Sequence, residues 1–243
     1  MHARMTLDGR ITISYWFALV RVQTLLEARW ILLVLLISSA ISTKLNCWLN
    51  VFWIPLILGT VYFFRDPDRE APTDTDAIVA AADGKIVAVD ETFEPEVLHA
   101  MARRVAIFLS VLDVHTNRAP IDGKITYSWD HEGKFLDARH SDASHRNAHR
   151  TWVFESPRAT LVVRQIAGAA ARRIVGWSKV GDKLKKGERF GMIRFGSRTE
   201  IYMPIDCEIN VRIGDHVKGG VSVIAKLSSK DNMYSQSMPY TFL

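Results

Sequence analysis

Gly196 and Ser197 stand between two strand-like runs, in Met192-Ile193-Arg194-Phe195-Gly196-Ser197-Arg198-Thr199-Glu200-Ile201-Tyr202-Met203-Pro204. Most Gly-Ser pairs are simply loops. This pair nevertheless holds the minimum for an intramolecular N→O acyl shift. The Ser197 hydroxyl would attack the Gly196 carbonyl, and glycine lets the backbone reach the strained approach. A base must take the hydroxyl proton, and a donor must hold the developing oxyanion.

Few residues qualify as that base. Phe108-Leu109-Ser110-Val111-Leu112-Asp113-Val114-His115-Thr116-Asn117-Arg118-Ala119-Pro120 reads as a strand running into a turn, and it presents Asp113, His115 and Arg118 together. Ala81-Ala82-Asp83-Gly84 sets a further carboxylate at a turn. Taken alone, a histidine like His115 is more often a hydrogen-bonded structural residue, and Asp-Gly is standard turn chemistry. Spacing by itself does not assemble an Asp–His–Ser triad.

A metal is not expected. His140, His145 and His149 lie in a polar stretch with no helical period, and Arg139, Arg146 and Arg150 beside them oppose a dication. Such a loop suits an anionic substrate or lipid better.

The elements that must position these residues follow from composition. Among 243 residues, 48% are apolar and 23% charged, which suits a packed chain rather than a disordered one. Two cysteines, Cys47 and Cys207, support neither a disulfide framework nor a multi-cysteine zinc site. The net charge of +5 is unevenly placed. Residues 1–64 hold five basic side chains against two acidic ones, and the rest hold 26 against 24. Excess basic charge around apolar runs is the mark of a membrane anchor. Nothing resembles a nucleic-acid footprint, so no nucleic-acid partner is expected.

Two uncharged runs, Trp30 to Thr43 and Leu45 to Phe64, are separated only by Lys44. The second, at 20 residues, has the length to span a bilayer. The first is short for that task. Together they predict a membrane-anchoring helical hairpin over 1–64, with Arg10, Arg21, Arg29, Arg65 and Arg69 holding both ends in the cytoplasm. A cleaved signal peptide fits poorly, because no small-residue cleavage site follows the first run.

From Arg65 onward, Pro67 and Pro72 mark a linker, and short β-rich runs separated by Asp-Gly and Gly-Asp turns follow. This predicts a mainly β domain over 65–243, a β-sandwich or barrel-sandwich-like fold. Glu94 to Arg104 is the one segment that reads as a soluble helix. Two internal echoes run through the β domain. Asp83-Gly84-Lys85-Ile86 recurs as Asp122-Gly123-Lys124-Ile125, and Val180-Gly181-Asp182 through Gly187 recurs as Ile213-Gly214-Asp215 through Gly220. Repeated turn chemistry alone would produce both, although such turns are typical of barrel-sandwich folds such as biotinyl and lipoyl carriers.

Several motifs in order resemble the short bacterial and archaeal phosphatidylserine decarboxylases. They are Phe63-Phe64-Arg65-Asp66-Pro67-Asp68-Arg69, Ala81 through Ile86, Phe108 through Gly123, Gln165-Ile166-Ala167-Gly168 with Ala171-Arg172-Arg173-Ile174, and Arg194 through Arg198. The resemblance runs from about residue 60 to residue 225 and implies the following. The chain is a proenzyme that cuts itself between Gly196 and Ser197 into a β chain (1–196) and an α chain (197–243). Ser197 becomes a covalent pyruvoyl cofactor, whose ketone forms a Schiff base with the amine of phosphatidylserine. Loss of carbon dioxide then gives phosphatidylethanolamine. By position, Asp83 matches the acidic member of the self-cleavage triad and His115 the motif histidine, with Asp113 beside it. The anchor would place the catalytic domain on the cytoplasmic face of the cell (inner) membrane, where the lipid substrate resides. The cut chains would remain a heterodimer through β pairing, with further homo-oligomers open.

Two positions depart from the family. Arg118 stands where longer members have a second histidine, so His115 would serve both steps. Asn147-Ala148-His149 replaces the usual Asn-Glu-Arg. The rival readings are a membrane-tethered adaptor, which would need no chemistry, and a serine hydrolase, which lacks a Gly-x-Ser-x-Gly elbow.

Overall fold

The computed structural model describes residues 21–140, 142–169, 173–194 and 197–228. Its chain divides into two compact units, with the division between Asp68 and Arg69.

The first unit is a helical hairpin. Helix α1, Val22–Leu45, has 24 residues and is long and apolar enough to cross a membrane. At 1.5 Å per residue it measures roughly 36 Å. A 3₁₀ turn, Cys47–Leu49, leads into α2, Asn50–Phe63, of 14 residues. The lengths reverse the expectation from the uncharged runs. Glu27 and Arg29 break the apolar run without breaking the helix, because both are good helix formers. At the other end Asn46, extended at φ −160°, stops α1, and its side chain accepts from the Trp48 amide at 3.0 Å. Polar side chains then tie the helices together. Ser39 Oγ donates to Asn50 Oδ1, Asn50 Nδ2 to Thr43 Oγ1, and Trp53 Nε1 to Ser42 Oγ, each at 2.8 Å.

The second unit is mainly β, as expected. In chain order its strands are β1 Ala77–Val79, β2 Gly84–Glu94, β3 Ala100–Leu109, β4 Thr116–Arg118, β5 Gly123–His131, β6 His149–Glu155 and β7 Thr160–Ile166. They continue with β8 Ile174–Gly176, β9 Lys183–Leu184, β10 Arg189–Ile193, β11 Ser197–Met203, β12 Glu208–Ile209, β13 His216–Val217 and β14 Val223–Lys226. A short helix, α3, spans Ala143–Arg146. Eight strands form one antiparallel sheet in the order β13-β2-β3-β11-β7-β6-β5-β9. Two three-stranded sheets, β1-β14-β12 and β4-β10-β8, complete the unit. All three feed one core, in which Ile107, Trp152 and Ile201 of the large sheet join Ile78, Ile224 and Phe190 of the small ones. Strand β11 is buried on both faces. Ile201 and Met203 enter that core, while Tyr202 packs with Ala102, Val153 and Val162 in a second cluster.

The expected helix over Glu94–Arg104 is instead a strand end, a turn and a strand. The Glu94 carboxylate accepts the backbone amides of Glu96, Val97 and Leu98 at 3.2, 2.8 and 2.8 Å. That satisfies the turn locally, and His99 at φ +47° reverses the chain so that Ala100 pairs with Glu94. Helical residue preferences lose to a ladder with β2 and β11 on either side.

The echoes prove to be partners of one another. Lys85 and Gly84 of the first Asp-Gly-Lys-Ile pair with His216 and Val217. Lys124 and Gly123 of the second pair with Lys183 and Leu184 in the same manner. Gly181 and Gly214 hold φ of +101° and +102°, a conformation glycine adopts without strain. Ile86 exchanges backbone bonds with Gly214 and Asp215, as Ile125 does with Gly181 and Asp182. The β unit is therefore built on an internal two-fold resemblance.

Candidate active site

Ser197 opens β11, opposite Leu109 of β3, and is fully buried. Its Oγ makes no hydrogen bond among the described residues. Thr199, two residues on, projects to the same face of the strand. Its Oγ1 accepts from Asn117 Nδ2 at 3.1 Å, and the same amide reaches Ala81 O at 3.3 Å. Gln165 Nε2 donates to Asn117 Oδ1 and Trp152 Nε1 to Gln165 Oε1, each at 2.7 Å. This fully buried relay joins β4 to β11, β7 and β6.

His115 precedes β4 and is fully buried. Its Nδ1 donates to the Asp113 carbonyl at 2.9 Å, and since a carbonyl only accepts, the neutral ring keeps its basic lone pair on Nε2. The His115 carbonyl accepts from Ile193 N at 3.2 Å, which holds the histidine against the end of β10, directly before the Gly-Ser segment. Gly196 itself lies outside the described residues, as does Phe195.

Asp113 orients His115 through its backbone. Its carboxylate closes a turn instead, with Oδ2 accepting from Ser110 N at 2.8 Å and Ser110 Oγ at 2.7 Å. Oδ1 lies 3.1 Å from His216 Nε2. The Asp83 carboxylate is held by both terminal nitrogens of Arg69 and by the Gly219 amide at 2.8 Å. Its counterpart in the repeat, Asp122, accepts the Lys186 amide at 2.8 Å in the same way. Arg69 is what distinguishes Asp83. Ala81 O accepts from Arg118 N at 2.8 Å as well as from Asn117. Asp83, His115 and Ser197 thus each stand two residues from one buried junction of Ala81, Asn117 and Thr199. Arg118 is buried too, with Nη1 donating to Gly187 O at 3.1 Å.

The opposite face of β11 carries a buried ionic network. Glu200 is fully buried, with Arg198 Nε at 2.7 Å and Arg104 Nη1 at 3.5 Å. Ser144 Oγ and Tyr202 OH donate to it at 2.6 and 2.7 Å. Burial alone would raise its carboxyl pKa, but the two guanidiniums and these donors outweigh that and lower it. Tyr202 shifts upward, from burial and from the Glu200 charge. Ser144 belongs to α3, so the polar 132–148 segment is pinned onto β11. Asn147 fastens the same segment, bonding Leu136 N and O at 2.9 and 2.8 Å and Ala167 O at 2.7 Å.

Of the three loop histidines, His140 and His145 are exposed, and only His149 turns inward, toward Glu96 and His131. Sequence reasoning passed over Arg69, Asn117 and Gln165 as functional residues. All three lie inside the motifs quoted above, but only the contacts show what they hold.

Residues 57–225 match the family model described as phosphatidylserine decarboxylase. The chain is 43% identical over 202 residues to a phosphatidylserine decarboxylase proenzyme of Carboxydothermus hydrogenoformans, covering 83% of this chain and 95% of that one. It is 39% identical over 197 residues to one of Magnetococcus marinus, covering 80% and 90%. This chain is thus an enzyme of the carboxy-lyase class. It belongs to the phosphatidylserine decarboxylase family.

Proposed function

We propose that the chain is a self-cleaving proenzyme that decarboxylates phosphatidylserine to phosphatidylethanolamine and carbon dioxide. The observation that carries this reading is Ser197. It is a fully buried hydroxyl at the first residue of a central strand, with no hydrogen bond among the described residues. A buried polar atom without a hydrogen bond costs stability, and a chemical role accounts for its being kept. Conversion to a pyruvoyl group would sacrifice no hydrogen bond there, so the site fits the group.

In the precursor, Ser197 Oγ attacks the Gly196 carbonyl and the amide nitrogen becomes the leaving amine. His115 Nε2 takes the hydroxyl proton as the base, a role supported by its Nδ1–H bond to the Asp113 carbonyl, which leaves the lone pair of the neutral ring on Nε2. Removal of the Ser197 α-proton then expels the Gly196 carboxylate, and hydrolysis releases ammonia from the new α-chain terminus. Asp83, pinned by Arg69 and Gly219, acts from the same junction. Ser197 would carry the pyruvoyl group, which would supply an electrophilic carbonyl for the substrate amine and an electron sink for the carbon that loses carbon dioxide. After cleavage, β11 remains paired to β3 and β7, both from the β chain, which supports a stable heterodimer. The N-terminal hairpin anchors the enzyme on the cytoplasmic side, where its basic residues concentrate.

The test is turnover of phosphatidylserine in detergent micelles by the purified full chain, read as phosphatidylethanolamine formed. Wild type should convert it and Ser197→Ala should not. Equal conversion by both would remove Ser197 from the chemistry.

A further inference from the structure

We propose that Glu96, His131 and His149 form a binding site for one divalent transition-metal ion of the zinc class. His131 ends β5 and His149 begins β6, and the two pair directly across the ladder. Their rings stack with centroids 4.5 Å apart at 11°. Glu96, from the turn after β2, places Oε1 3.2 Å from His149 Nε2 and Oε2 3.4 Å from His131 Nε2. One donor atom from each residue lies within 4.8 Å of the others.

The two histidine–carboxylate separations are close to those of a shared ion, and a modest splaying of the stacked rings would turn both Nε2 lone pairs toward it. Metal–ligand bonds of about 2.0–2.2 Å in a tetrahedral site place neighbouring donor atoms about 3.3–3.6 Å apart. The hydrogen-bonding pattern points the same way. His149 Nδ1 donates to the Asn147 carbonyl at 2.9 Å, so in the neutral ring Nε2 aims a lone pair at a carboxylate oxygen. An acceptor facing an acceptor is unfavourable until a proton or a metal cation stands between them. A metal-bound histidine whose other nitrogen donates to a backbone carbonyl is the usual outer-shell arrangement.

Charge permits it. Arg164 lies 3.1 Å from Glu96 but also 2.9 Å from Glu94, so two carboxylates face one guanidinium. Thr151 Oγ1 donates to Glu96 Oε2 at 2.9 Å and fixes the carboxylate further. Three protein ligands leave a fourth position open. His131 and His149 line a groove of about 460 Å³ that also holds Phe135 and Arg173, so water or an anionic group can complete the shell. The ion would clamp the 95–99 turn to the β5–β6 edge. The site was not legible in the histidine-rich loop, because only one of its three ligands lies there.

The experiment is calorimetric titration of chelator-stripped, detergent-purified full chain with Zn²⁺, alongside the visible spectrum with Co²⁺. Wild type should bind one equivalent and show the intense d–d bands of four-coordinate Co²⁺. His131→Asn and Glu96→Gln should each weaken binding at least tenfold and bleach those bands, comparable to or beyond the roughly 10–100-fold cost of losing an outer-shell partner. A His140→Asn/His145→Asn double variant should bind as wild type does. His131 is partly exposed at a strand end, so its variant tests the site even where Glu96→Gln fails to fold. No stoichiometric binding by wild type, or binding unchanged in His131→Asn, would overturn the proposal.

Discussion

Asn117 Nδ2 donates to Thr199 Oγ1 at 3.1 Å, and His115 and Ser197 each stand two residues before a partner of that bond. This buried contact between β4 and β11 ties the strand that follows the histidine to the strand that the serine opens. Thr199→Val keeps the shape and removes the acceptor. The expected cost is about 1–2 kcal/mol, because Asn117 Nδ2 keeps only its longer bond to Ala81. Self-cleavage should slow as well, which a time course of precursor and cut chains on a denaturing gel would follow. Cleavage at the wild-type rate would mean that the contact is structural alone.

His115→Ala is expected to leave the chain uncut, inactive, or both. The fold should survive, since the bond that ties this residue to β10, from Ile193 N to the His115 carbonyl, is a backbone bond that alanine keeps. A variant that is fully cut and fully active, by gel and by phosphatidylethanolamine production, would remove His115 from the mechanism.

The Arg69–Asp83 pair separates a positioning role from a structural one. Both side chains are only 10% exposed, so Arg69→Met strands a buried carboxylate and should cost roughly 3–5 kcal/mol in thermal or denaturant unfolding. Asp83→Asn retains an oxygen for the Gly219 amide and should fold, yet it should cleave poorly. Asp122→Asn, the equivalent change in the other repeat, should leave cleavage intact. Identical behaviour of the two variants would assign Asp83 to turn chemistry only.

Much of this was legible in sequence, and the failures have physical causes. The Gly-Ser pair, His115 and Asp83 stood out because their residue types carry chemistry at turns and strand ends. The Gly-Asp echoes were visible, but their pairing with the Asp-Gly-Lys-Ile segments was not. That pairing is non-local, between Lys85 and His216 and between Lys124 and Lys183. Glu94–Arg104 misled because its residues favour a helix until a ladder claims them. The hairpin lengths misled because uncharged runs mark apolar surface, whereas α1 continues through Glu27 and Arg29.

Glu200 gives the stability a pH dependence. Its carboxyl pKa is lowered in the folded state, so its contribution is complete above the unfolded carboxylate value and is lost as pH falls through the folded one. Glu200→Gln should flatten the acid limb of the melting-temperature profile. It should also destabilise the protein at neutral pH by roughly 3–5 kcal/mol, because Arg198 and Arg104 lose their shared counter-charge. An unchanged acid limb would place the acid sensitivity elsewhere.

The central claim is that Ser197 is converted, and intact mass of the detergent-purified protein under denaturing conditions tests it most directly. The account predicts two chains, split between Gly196 and Ser197, with the smaller one lighter than its sequence by one ammonia. A single intact chain with an unmodified Ser197, from cells in which the enzyme is active, would contradict it.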